Sequence, residues 1–469
     1  MATLSWVGRD AVVDHHLQVE SRPLREVSAL ACGDTASGNL IIQGDNLLAM
    51  KALLPEYAGK VKCLYVDPPY NTGTEGWVYN DSVDSPAMRE WLGKVVGARA
   101  ATGDKGLPES GKAAVAAAPL QLDRRDRWLS MMYPRLRLSK ELLSPDGLLA
   151  VSIDDREVSV LGVLLDEIFG AKNRLACAPW LAEPSGGKEK TGLRAGHEYV
   201  LIYHNGDNSR ISRETRPTGE LNLNDRWGPY RKGRELTKWG GISRRSDRPG
   251  QWYPMRTPAG IEVWPIRNDG AEGHWRWGRE QSMRDILEDP ERAHWELRAF
   301  DEGVAWNGQR ERWVPYEKVR DASKSVGWNT WLDSHGYNAD ATRELKEILG
   351  RKVFDTPKPV SLIRWLVSLH SDDDALVVDL FAGSGTTAHA VLSLNRDEGN
   401  GRGALRDDAP NGARRFILIE MEREIAREIT AERVRRVIQG YANARGQPVP
   451  GLGSGFRFLE VGAGANPER

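Results

Sequence analysis

Three short apolar runs, each with an acidic residue at or near its carboxyl end, constrain the fold of this chain more than any other feature. They are Val61–Asp67, Ala375–Leu380 and Arg415–Glu420. Continuous runs of this length, rich in Val, Ile and Leu, are typical of strands buried on both faces of a parallel sheet. Segments with apolar residues at helical spacing, such as Arg124–Leu143, lie between them. The sequence therefore predicts an α/β fold with a parallel sheet.

The tetrapeptide Asp67-Pro68-Pro69-Tyr70 follows the first of these strands. The prolines have no N–H group, so the backbone offers only carbonyl acceptors here, and Asp67 adds a carboxylate. Tyr70 adds a flat aromatic face. Acceptors beside a stacking ring suit a flat heterocycle with an exocyclic amino group, such as adenine or cytosine turned out of a duplex. For the tetrapeptide alone, a Pro-Pro turn capped by a tyrosine remains the alternative.

A glycine turn, Phe381–Thr387, joins the second strand to a predicted helix. Strand, glycine turn and helix in this order indicate a nucleotide or cofactor site at the carboxyl end of an open sheet. Gly383 and Gly385 allow the backbone to approach a ligand closely. The third glycine of the dinucleotide fingerprint and the Gly-Lys-Ser/Thr of a P-loop do not follow. Glu420 ends the next strand, where an acid binds ribose hydroxyls in doubly wound folds; helix capping is the alternative.

Together these motifs resemble the amino-methylating DNA methyltransferases of the permuted (β) order, and specifically the modification subunit of type III restriction systems. Further matching segments are Leu4–Arg9, Gly44–Leu47, Gly147–Asp155, Asp166–Gly170, His197–Val200 and Phe354–Pro359. The catalytic motif precedes the cofactor motif, which is the circularly permuted order. The resemblance implies a Rossmann-like methyltransferase sheet that uses S-adenosylmethionine.

The resemblance also implies an activity and a set of site residues. A methyl group would pass from S-adenosylmethionine to the N6 amino group of adenine in double-stranded DNA after base flipping. The catalytic residues would be Asp67, Pro68, Pro69 and Tyr70. The cofactor contacts would be Asp45, Lys358, Asp379, Phe381, Gly383, Gly385, Thr386 and Glu420. For His197, Glu198 and Tyr199 we expect a structural role, and we expect no metal.

Residues 205–335 differ in composition from the rest of the chain. Of the 17 tryptophans, 12 lie between Trp180 and Trp331, and residues 210–279 carry 15 Lys/Arg against 8 Asp/Glu. Basic residues interleaved with aromatic ones suit a surface that contacts phosphates. A β-rich insert with a tryptophan core and a solvated arginine face is compatible with the same pattern. The resemblance places target recognition here, and the predicted DNA contacts are Arg231, Lys232, Arg244 and Arg245.

The predicted domain organisation has five parts. They are an irregular arm with a helical piece (1–37), the catalytic half (38–204), the insert (205–335), the cofactor half (336–440) and a loop-like tail (441–469). We expect residues 93–120 to form a mobile loop and Asn395–Arg414 to be disordered, because both are rich in small or charged residues.

Composition limits the class of protein without deciding it. The formal net charge is −1, so any nucleic-acid surface must be local. The 3 cysteines lack metal-ligand spacing, and there is neither an apolar run of about 18 residues nor a signal peptide. We therefore expect a cytoplasmic protein, and the resemblance implies that it binds double-stranded DNA. A homodimer and a restriction or other defence subunit are further partners that the resemblance implies.

Four alternative functions differ in what the sequence must contain. A cytosine-C5 methyltransferase needs a nucleophilic cysteine, usually after a proline, and no cysteine follows one here. N4-cytosine enzymes share the chemistry but more often have Ser at the position of Asp67, which favours adenine. A protein or small-molecule methyltransferase would not need the insert, and a non-catalytic DNA-specificity subunit would not need both motifs. The chain is shorter than type III modification subunits usually are, so a solitary enzyme is an alternative to partnership with a helicase-nuclease.

Overall fold

The chain divides into two units, one formed by Met1–Ser212 with Trp328–Arg469 and the other by Arg213–Gly327. The structure is a computed structural model that describes residues 3–71, 124–187, 192–206, 211–280, 283–370, 372–402 and 413–463, with only the backbone of 398–402. The loop expected at 93–120 and residues 403–412 lie outside the described residues. The second unit falls inside the limits 205–335 expected for the insert.

The strands are numbered in chain order through both units. The strands of the first unit are β1 (Leu24–Glu26), β2 (Cys32–Gly33), β3 (Leu40–Gln43), β4 (Val61–Val66), β5 (Leu143–Ile153), β6 (Arg174–Leu181), β7 (His197–His204), β16 (Leu376–Asp379), β17 (Arg415–Glu420), β18 (Gly440–Ala442), β19 (Pro448–Pro450) and β20 (Gly455–Val461). The strands of the second unit are β8 (Glu214–Pro217), β9 (Leu223–Asp225), β10 (Gly228–Glu235), β11 (Met255–Arg256), β12 (Glu262–Val263), β13 (His294–Ala299), β14 (Glu311–Val319) and β15 (Ser323–Val326).

The main sheet has the strand order β1-β20-β3-β17-β16-β4-β5-β7-β6, with β2 paired to β20. Neighbours from β20 to β5 are parallel. β7 runs antiparallel to β5, and β6 antiparallel to β7. The predicted α/β fold is therefore confirmed, and the predicted parallel pairing holds from β20 to β5 but not for β7 and β6. A parallel pairing of β6 with β7 would need a crossover, usually helical, whereas an antiparallel pair closes by a direct turn.

Helices cover both faces of this sheet. The α-helices of the first unit are Arg9–Val12, His15–Gln18, Asn46–Tyr57, Arg124–Leu142, Val158–Leu165, Asn338–Leu349, Val360–Ser368, Thr386–Arg402 and Ala431–Gln439. Alternate strand residues enter opposite cores: Leu64 and Val66 pack in one cluster, and Cys63 and Tyr65 in the other. Since both faces are buried, the strands had to be almost continuously apolar. No helix among the described residues is long and apolar enough to cross a membrane.

Three expectations about irregular segments were wrong. The tail supplies β20, which lies between β1 and β3 and buries Phe456 and Phe458 completely. The arm contains a helical piece, as expected, in Arg9–Val12 and His15–Gln18, but it also supplies β1 at the edge of the sheet. Asn395–Arg402, part of the segment expected to be disordered, continues the helix that begins at Thr386. In each case tertiary pairing or helix propagation outweighs a weak local signal.

The second unit is built from β-strands. Its largest sheet has the order β13-β14-β10-β9, and β15–β8 and β11–β12 form separate pairs. Trp275, which is completely buried, packs with Tyr253, Leu236 and Met255 in the core. The unit also contains a short helix, Arg284–Glu288. Tryptophans therefore form part of its core.

Candidate active site

The candidate site lies at the carboxyl ends of two neighbouring parallel strands, β4 and β16. Asp379 at the end of β16 is in register with Tyr65 of β4, so Asp67 and Phe381 follow adjacent strand ends. The pair adjoins β5 on one side and β17 on the other. Ligands of open α/β sheets bind at such a switch point, in the crevice outside the strand ends.

Asp67 and Tyr70 are hydrogen-bonded to each other at the end of β4. The Tyr70 hydroxyl lies 3.0 Å from Oδ1 of Asp67. The indole N–H of Trp128 donates to the Pro69 carbonyl at 2.7 Å and anchors the second proline. Asn71 then has a φ of 60°, which asparagine tolerates better than most residues. These contacts fix the aromatic ring beside the carboxylate.

The glycine turn contains two left-handed residues, Gly383 with a φ of 49° and Gly385 with a φ of 77°. A Cβ at Gly383 would stand 3.1 Å from Cζ of Phe354, and one at Gly385 would stand 3.3 Å from Thr430. Both the backbone conformation and the lack of space therefore favour glycine. A side chain at Gly383 would also fill the space in front of the turn.

Two buried carboxylates hold the backbone of this turn. Asp379 accepts a hydrogen bond from the Phe381 N–H at 3.1 Å and another from the Thr387 hydroxyl at 2.5 Å. Glu420 accepts one from the Gly383 N–H at 2.9 Å. Burial raises the pKa of both carboxyls to about 7, because little water remains to stabilise their charge.

The guanidinium of Arg433 contacts the glycine turn from the protein interior. It donates to the hydroxyls of Ser384 at 3.0 Å and Thr386 at 2.7 Å, and it lies 3.6 Å from Glu344. Thr386 donates in turn to the Lys358 carbonyl at 3.0 Å. Sequence analysis missed Arg433, because an arginine in an Arg/Glu-rich helix usually faces solvent.

A cavity of about 270 Å³ separates the Asp67–Tyr70 segment from the glycine turn. The predicted site residues that line it are Asp67, Pro68, Tyr70, Lys358, Asp379, Phe381, Gly383 and Thr386. The two motifs, far apart in the chain, therefore share one cavity. One side of the cavity therefore offers hydrogen-bond acceptors and an aromatic ring, and the other side offers a backbone without a side chain at Gly383. A flat heterocycle with an amino group and a second ligand can both enter this cavity.

The predicted site residues outside this lining are Asp45, Pro69, Gly385 and Glu420. Asp45 caps the helix Asn46–Tyr57 by accepting from the Leu47 N–H at 2.7 Å, and its other oxygen pairs with the buried Arg135 at 3.0 Å. Glu420 uses its second oxygen to accept from the Glu422 N–H at 2.9 Å. Both carboxylates therefore organise protein backbone in this structure.

Several lining residues were not predicted as site residues, among them Asp154, Arg156, Glu198 and Phe354. Glu198 Oε2 lies 3.1 Å from the Tyr70 hydroxyl and 3.6 Å from Nζ of Lys358. If β7 ran parallel to β5, Glu198 would lie at the amino ends of the neighbouring strands, on the side of the sheet opposite to Asp67. Because β7 is antiparallel, its amino end lies at the carboxyl ends of β4 and β5. The Phe354–Pro359 motif was the available signal for Phe354.

The basic residues predicted to contact DNA lie in the second unit, and most have acidic partners there. The pairs are Lys232 with Glu296 at 2.6 Å, Arg245 with Glu272 at 2.9 Å and Arg244 with Asp269 at 3.8 Å. Arg231 donates to the Lys232 carbonyl at 3.3 Å. The side chains of Arg244 and Arg245 are 58% and 49% exposed. Exposed pairs of this kind contribute little energy and can exchange for phosphate contacts.

Asp146, His370 and Asp372 bring potential metal-ligand atoms within 4.8 Å of one another, near the amino end of β4. The Lys62 ammonium lies 2.7 Å from Asp146 and 3.4 Å from Asp372. Although burial alone would raise the pKa of Asp146, hydrogen bonds from Lys62 and Ser144 lower it to about 2. The lysine already supplies the positive charge, so we assign no metal to this cluster.

A family model described as DNA methylase matches residues 61–432, and the chain therefore belongs to the DNA methylase family. The resemblance drawn from the motifs is confirmed. The Mod subunit of the type III restriction-modification enzyme EcoPI from Escherichia phage P1 is 31% identical over an alignment of 437 residues, and the match covers 86% of this chain and 62% of that protein. The type II methyltransferase M.KpnI from Klebsiella pneumoniae is 30% identical over 415 residues, covering 86% of this chain and 85% of that enzyme.

Two further facts describe the extent of these similarities. The chain spans less than two thirds of the length of the EcoPI Mod subunit, 62%. Among solved structures, the M1.HpyAVI–SAM complex is 12% identical with a TM-score of 0.36, covering 84% of this chain and 98% of that one.

Proposed function

We propose that this protein transfers a methyl group from S-adenosylmethionine to the N6 amino group of adenine in double-stranded DNA. The observation that carries the proposal is the shared cavity, which sets the Asp67 carboxylate and the Tyr70 ring opposite Gly383. Membership of the DNA methylase family supports it, as do relatives that include type III Mod subunits and a type II methyltransferase.

The glycine turn fits S-adenosylmethionine, which when bound supplies an electrophilic methyl group on a sulfonium. Because Gly383 has no side chain, the space between it and Phe354 stays open for a ligand. A Cβ at this position would lie in that space, 3.1 Å from Cζ of Phe354. Phe381 lines the cavity beside it and offers an apolar face to the adenosine part. The Lys358 ammonium, which also lines the cavity, suits the carboxylate of the methionine part.

Asp67 and Pro68 direct the lone pair of the target nitrogen. That lone pair is delocalised into the purine ring, so the free amino group is a poor nucleophile. The Asp67 carboxylate and the Pro68 carbonyl accept one amino hydrogen each and favour a pyramidal nitrogen whose lone pair points at the methyl group. This is catalysis by orientation and electrostatics, without a covalent enzyme intermediate. The surplus proton leaves the nitrogen for Asp67 or for water.

The amino group is out of reach inside a duplex, so the adenine must be turned out of the stack at a cost of a few kcal/mol. Tyr70 then stacks on the everted base. We assign recognition of the surrounding sequence to the second unit, which carries Arg231, Lys232, Arg244 and Arg245. We further propose that the protein acts in the cytoplasm, within a restriction or other defence system. We also propose that it associates with a second copy of itself and with a restriction subunit.

Methylation of unmodified DNA with labelled S-adenosylmethionine, followed by mass spectrometry of the nucleosides, tests this function. We expect N6-methyladenine from the wild-type chain, and none from Asp67→Ala, which should still bind DNA. N4-methylcytosine as the product would overturn the choice of adenine. Absence of any methylated nucleoside, or full activity of Asp67→Ala, would overturn the proposed site. Single-molecule sequencing of host DNA would then identify the recognition sequence.

A further inference from the structure

Glu198 is a cavity residue to which the mechanism above gives no part. It is the second residue of β7, which runs antiparallel to β5. Its backbone therefore reaches the same edge of the sheet as Asp67, although β5 lies between their two strands. A carboxylate at this place adds a second negative group beside the one that acts on the target amino group.

The Tyr70 hydroxyl has one proton and two carboxylates within hydrogen-bonding distance. Its oxygen lies 3.0 Å from Oδ1 of Asp67 and 3.1 Å from Oε2 of Glu198. Burial, together with these two charges, raises the pKa of the phenol well above its usual value. The hydroxyl therefore stays protonated, and it can donate to only one of the two carboxylates at a time.

Lys358 connects the same two carboxylates. Its Nζ lies 3.0 Å from Oδ1 of Asp67 and 3.6 Å from Oε2 of Glu198, and its side chain is only 8% exposed. The ammonium also lies 4.8 Å from the centre of the Tyr70 ring. One cation faces two anions, so the group as a whole carries one net negative charge.

We propose that Glu198 is a positioning residue that sets the state of Asp67 for methyl transfer, an inference that rests on the proposed function. Glu198 accepts the hydrogen bond of the Tyr70 hydroxyl and shares Lys358, so that Asp67 keeps its strength as an acceptor for the target amino group. Among the described residues, the Tyr70 hydroxyl and the Lys358 ammonium contact the Asp67 carboxylate, and both contact Oδ1. We assign Oδ2 to the target amino group.

Glu198 has two further effects in this arrangement. By anchoring the hydroxyl it fixes the plane of the Tyr70 ring, on which the everted base stacks. Its charge makes the group around Asp67 net negative, which stabilises the positive charge that develops on the nitrogen as the methyl group arrives. Without that charge, Asp67 and Lys358 would form a neutral pair, and the Tyr70 hydroxyl would donate its hydrogen bond to Asp67.

Glu198→Gln tests the role because it keeps an acceptor oxygen and removes the charge. We expect the single-turnover rate of DNA methylation to fall about 10- to 100-fold, the loss typical of one charge-assisted hydrogen bond. Affinity for S-adenosylmethionine, measured by calorimetry, should change less than about 3-fold, because Lys358, which we assign to the methionine carboxylate, keeps its shorter contact with Asp67 when the Glu198 charge is removed. Unfolding midpoints of both proteins show whether the fold is retained.

Glu183→Gln is the matched control. Glu183 lies just beyond β6, and its backbone N–H donates to Gly196 immediately before β7. Its side chain bonds to Ser185 at 2.9 Å and is not part of the cavity lining. The same chemical change there should leave the rate unaltered.

A double-mutant cycle with Tyr70→Phe separates positioning from a merely structural role. If Glu198 acts in part through the Tyr70 hydroxyl, the two substitutions together should cost clearly less than the sum of the two single losses. Fully additive losses, or a Glu198→Gln rate equal to that of Glu183→Gln, would overturn the positioning role while leaving the proposed function intact. A wild-type chain that methylates no DNA would overturn both.

Discussion

At the scale of single residues, the buried carboxyls of the glycine turn make stability depend on pH. The folded-state pKa of Asp379 is about 7, against an ordinary value of 3.8. Between these values the folded chain holds a proton that the unfolded chain has released. The stabilisation is therefore complete below about pH 4 and is lost as the pH rises to about 7. Glu420, with a pKa of about 7, acts in the same direction.

Asp379→Asn removes the titrating group and keeps an oxygen that can accept from Phe381. From pH 5.5 to 7.5 we expect the unfolding free energy of the wild type to fall by about 2 kcal/mol more than that of the variant. Urea denaturation at the two pH values measures this difference. Parallel losses in the two proteins would show that Asp379 is already ionised at pH 5.5.

At the scale of elements, the glycine turn joins backbone geometry to ligand binding. Gly385 and Gly446 have similar left-handed backbones, with φ values of 77° and 73°. A Cβ at Gly385 would stand 3.3 Å from Thr430, whereas none of the described atoms lies within 4 Å of a Cβ at Gly446. Substitutions at these two glycines therefore share the free-energy cost of placing a side chain on a left-handed backbone. Only the substitution at Gly385 also crowds the neighbouring atoms.

Gly385→Ala should weaken binding of S-adenosylmethionine about 10-fold, because the turn must shift to admit the methyl group. Gly446→Ala bears a similar backbone strain of about 1 kcal/mol and should leave binding unchanged. Calorimetric titration of both variants with the cofactor measures the contrast. Equal affinities in the two variants would remove the 383–387 turn from the cofactor site.

The strand β20 is the element for which the local sequence was least informative, because its segment was predicted to be loop-like. It pairs with β3, β1 and β2, and Phe458 on it is completely buried. Phe458→Ala should lower the unfolding free energy by about 3–5 kcal/mol, the usual cost of emptying such a site. Arg457→Ala, whose side chain is 42% exposed, is the control from the same strand. Denaturation curves that coincide with the wild type would mean that β20 contributes nothing to the core.

At the scale of the whole molecule, the proposal assigns catalysis and sequence recognition to separate units of the chain. The cavity of the candidate active site lies within the first unit, and the predicted DNA contacts lie within Arg213–Gly327. Charge pairing within the second unit means that its basic residues act locally rather than through a large net field. DNA affinity should therefore respond to particular arginines.

Replacing Arg244 and Arg245 together with alanine should weaken DNA binding and reduce the slope of log affinity against log salt by about 2, because each arginine would no longer neutralise a phosphate. Arg343 and Lys346 on the helix Asn338–Leu349 of the first unit provide a control that removes the same charge. Binding titrations at several salt concentrations give both slopes. If the control lowers the slope as much as the arginine pair does, the effect belongs to net charge and not to this surface.

The sequence was sufficient for features written into contiguous residues. The strand Arg415–Glu420 has the bounds of the predicted run, and the strand Val61–Val66 lies within the predicted run Val61–Asp67. The Asp67–Tyr70 and Phe381–Thr387 motifs were recognisable because fixed backbone conformations and acceptor patterns need those residue types at that spacing. The same local features carry the family resemblance.

Only the tertiary structure decided the features that depend on the partner of an element. The direction of β7 brings Glu198 to Asp67, the pairing of β20 turns an apparent tail into a sheet strand, and the packing of helix Ala431–Gln439 buries Arg433 against the glycine turn. The direction and the partners of a strand depend on burial and hydrogen bonding across the whole sheet. The residue pattern of a single segment therefore does not reveal them. The local sequence is thus sufficient to predict the two motifs of the candidate site. The set of side chains that line the cavity is decided only by how the strands of the sheet pair.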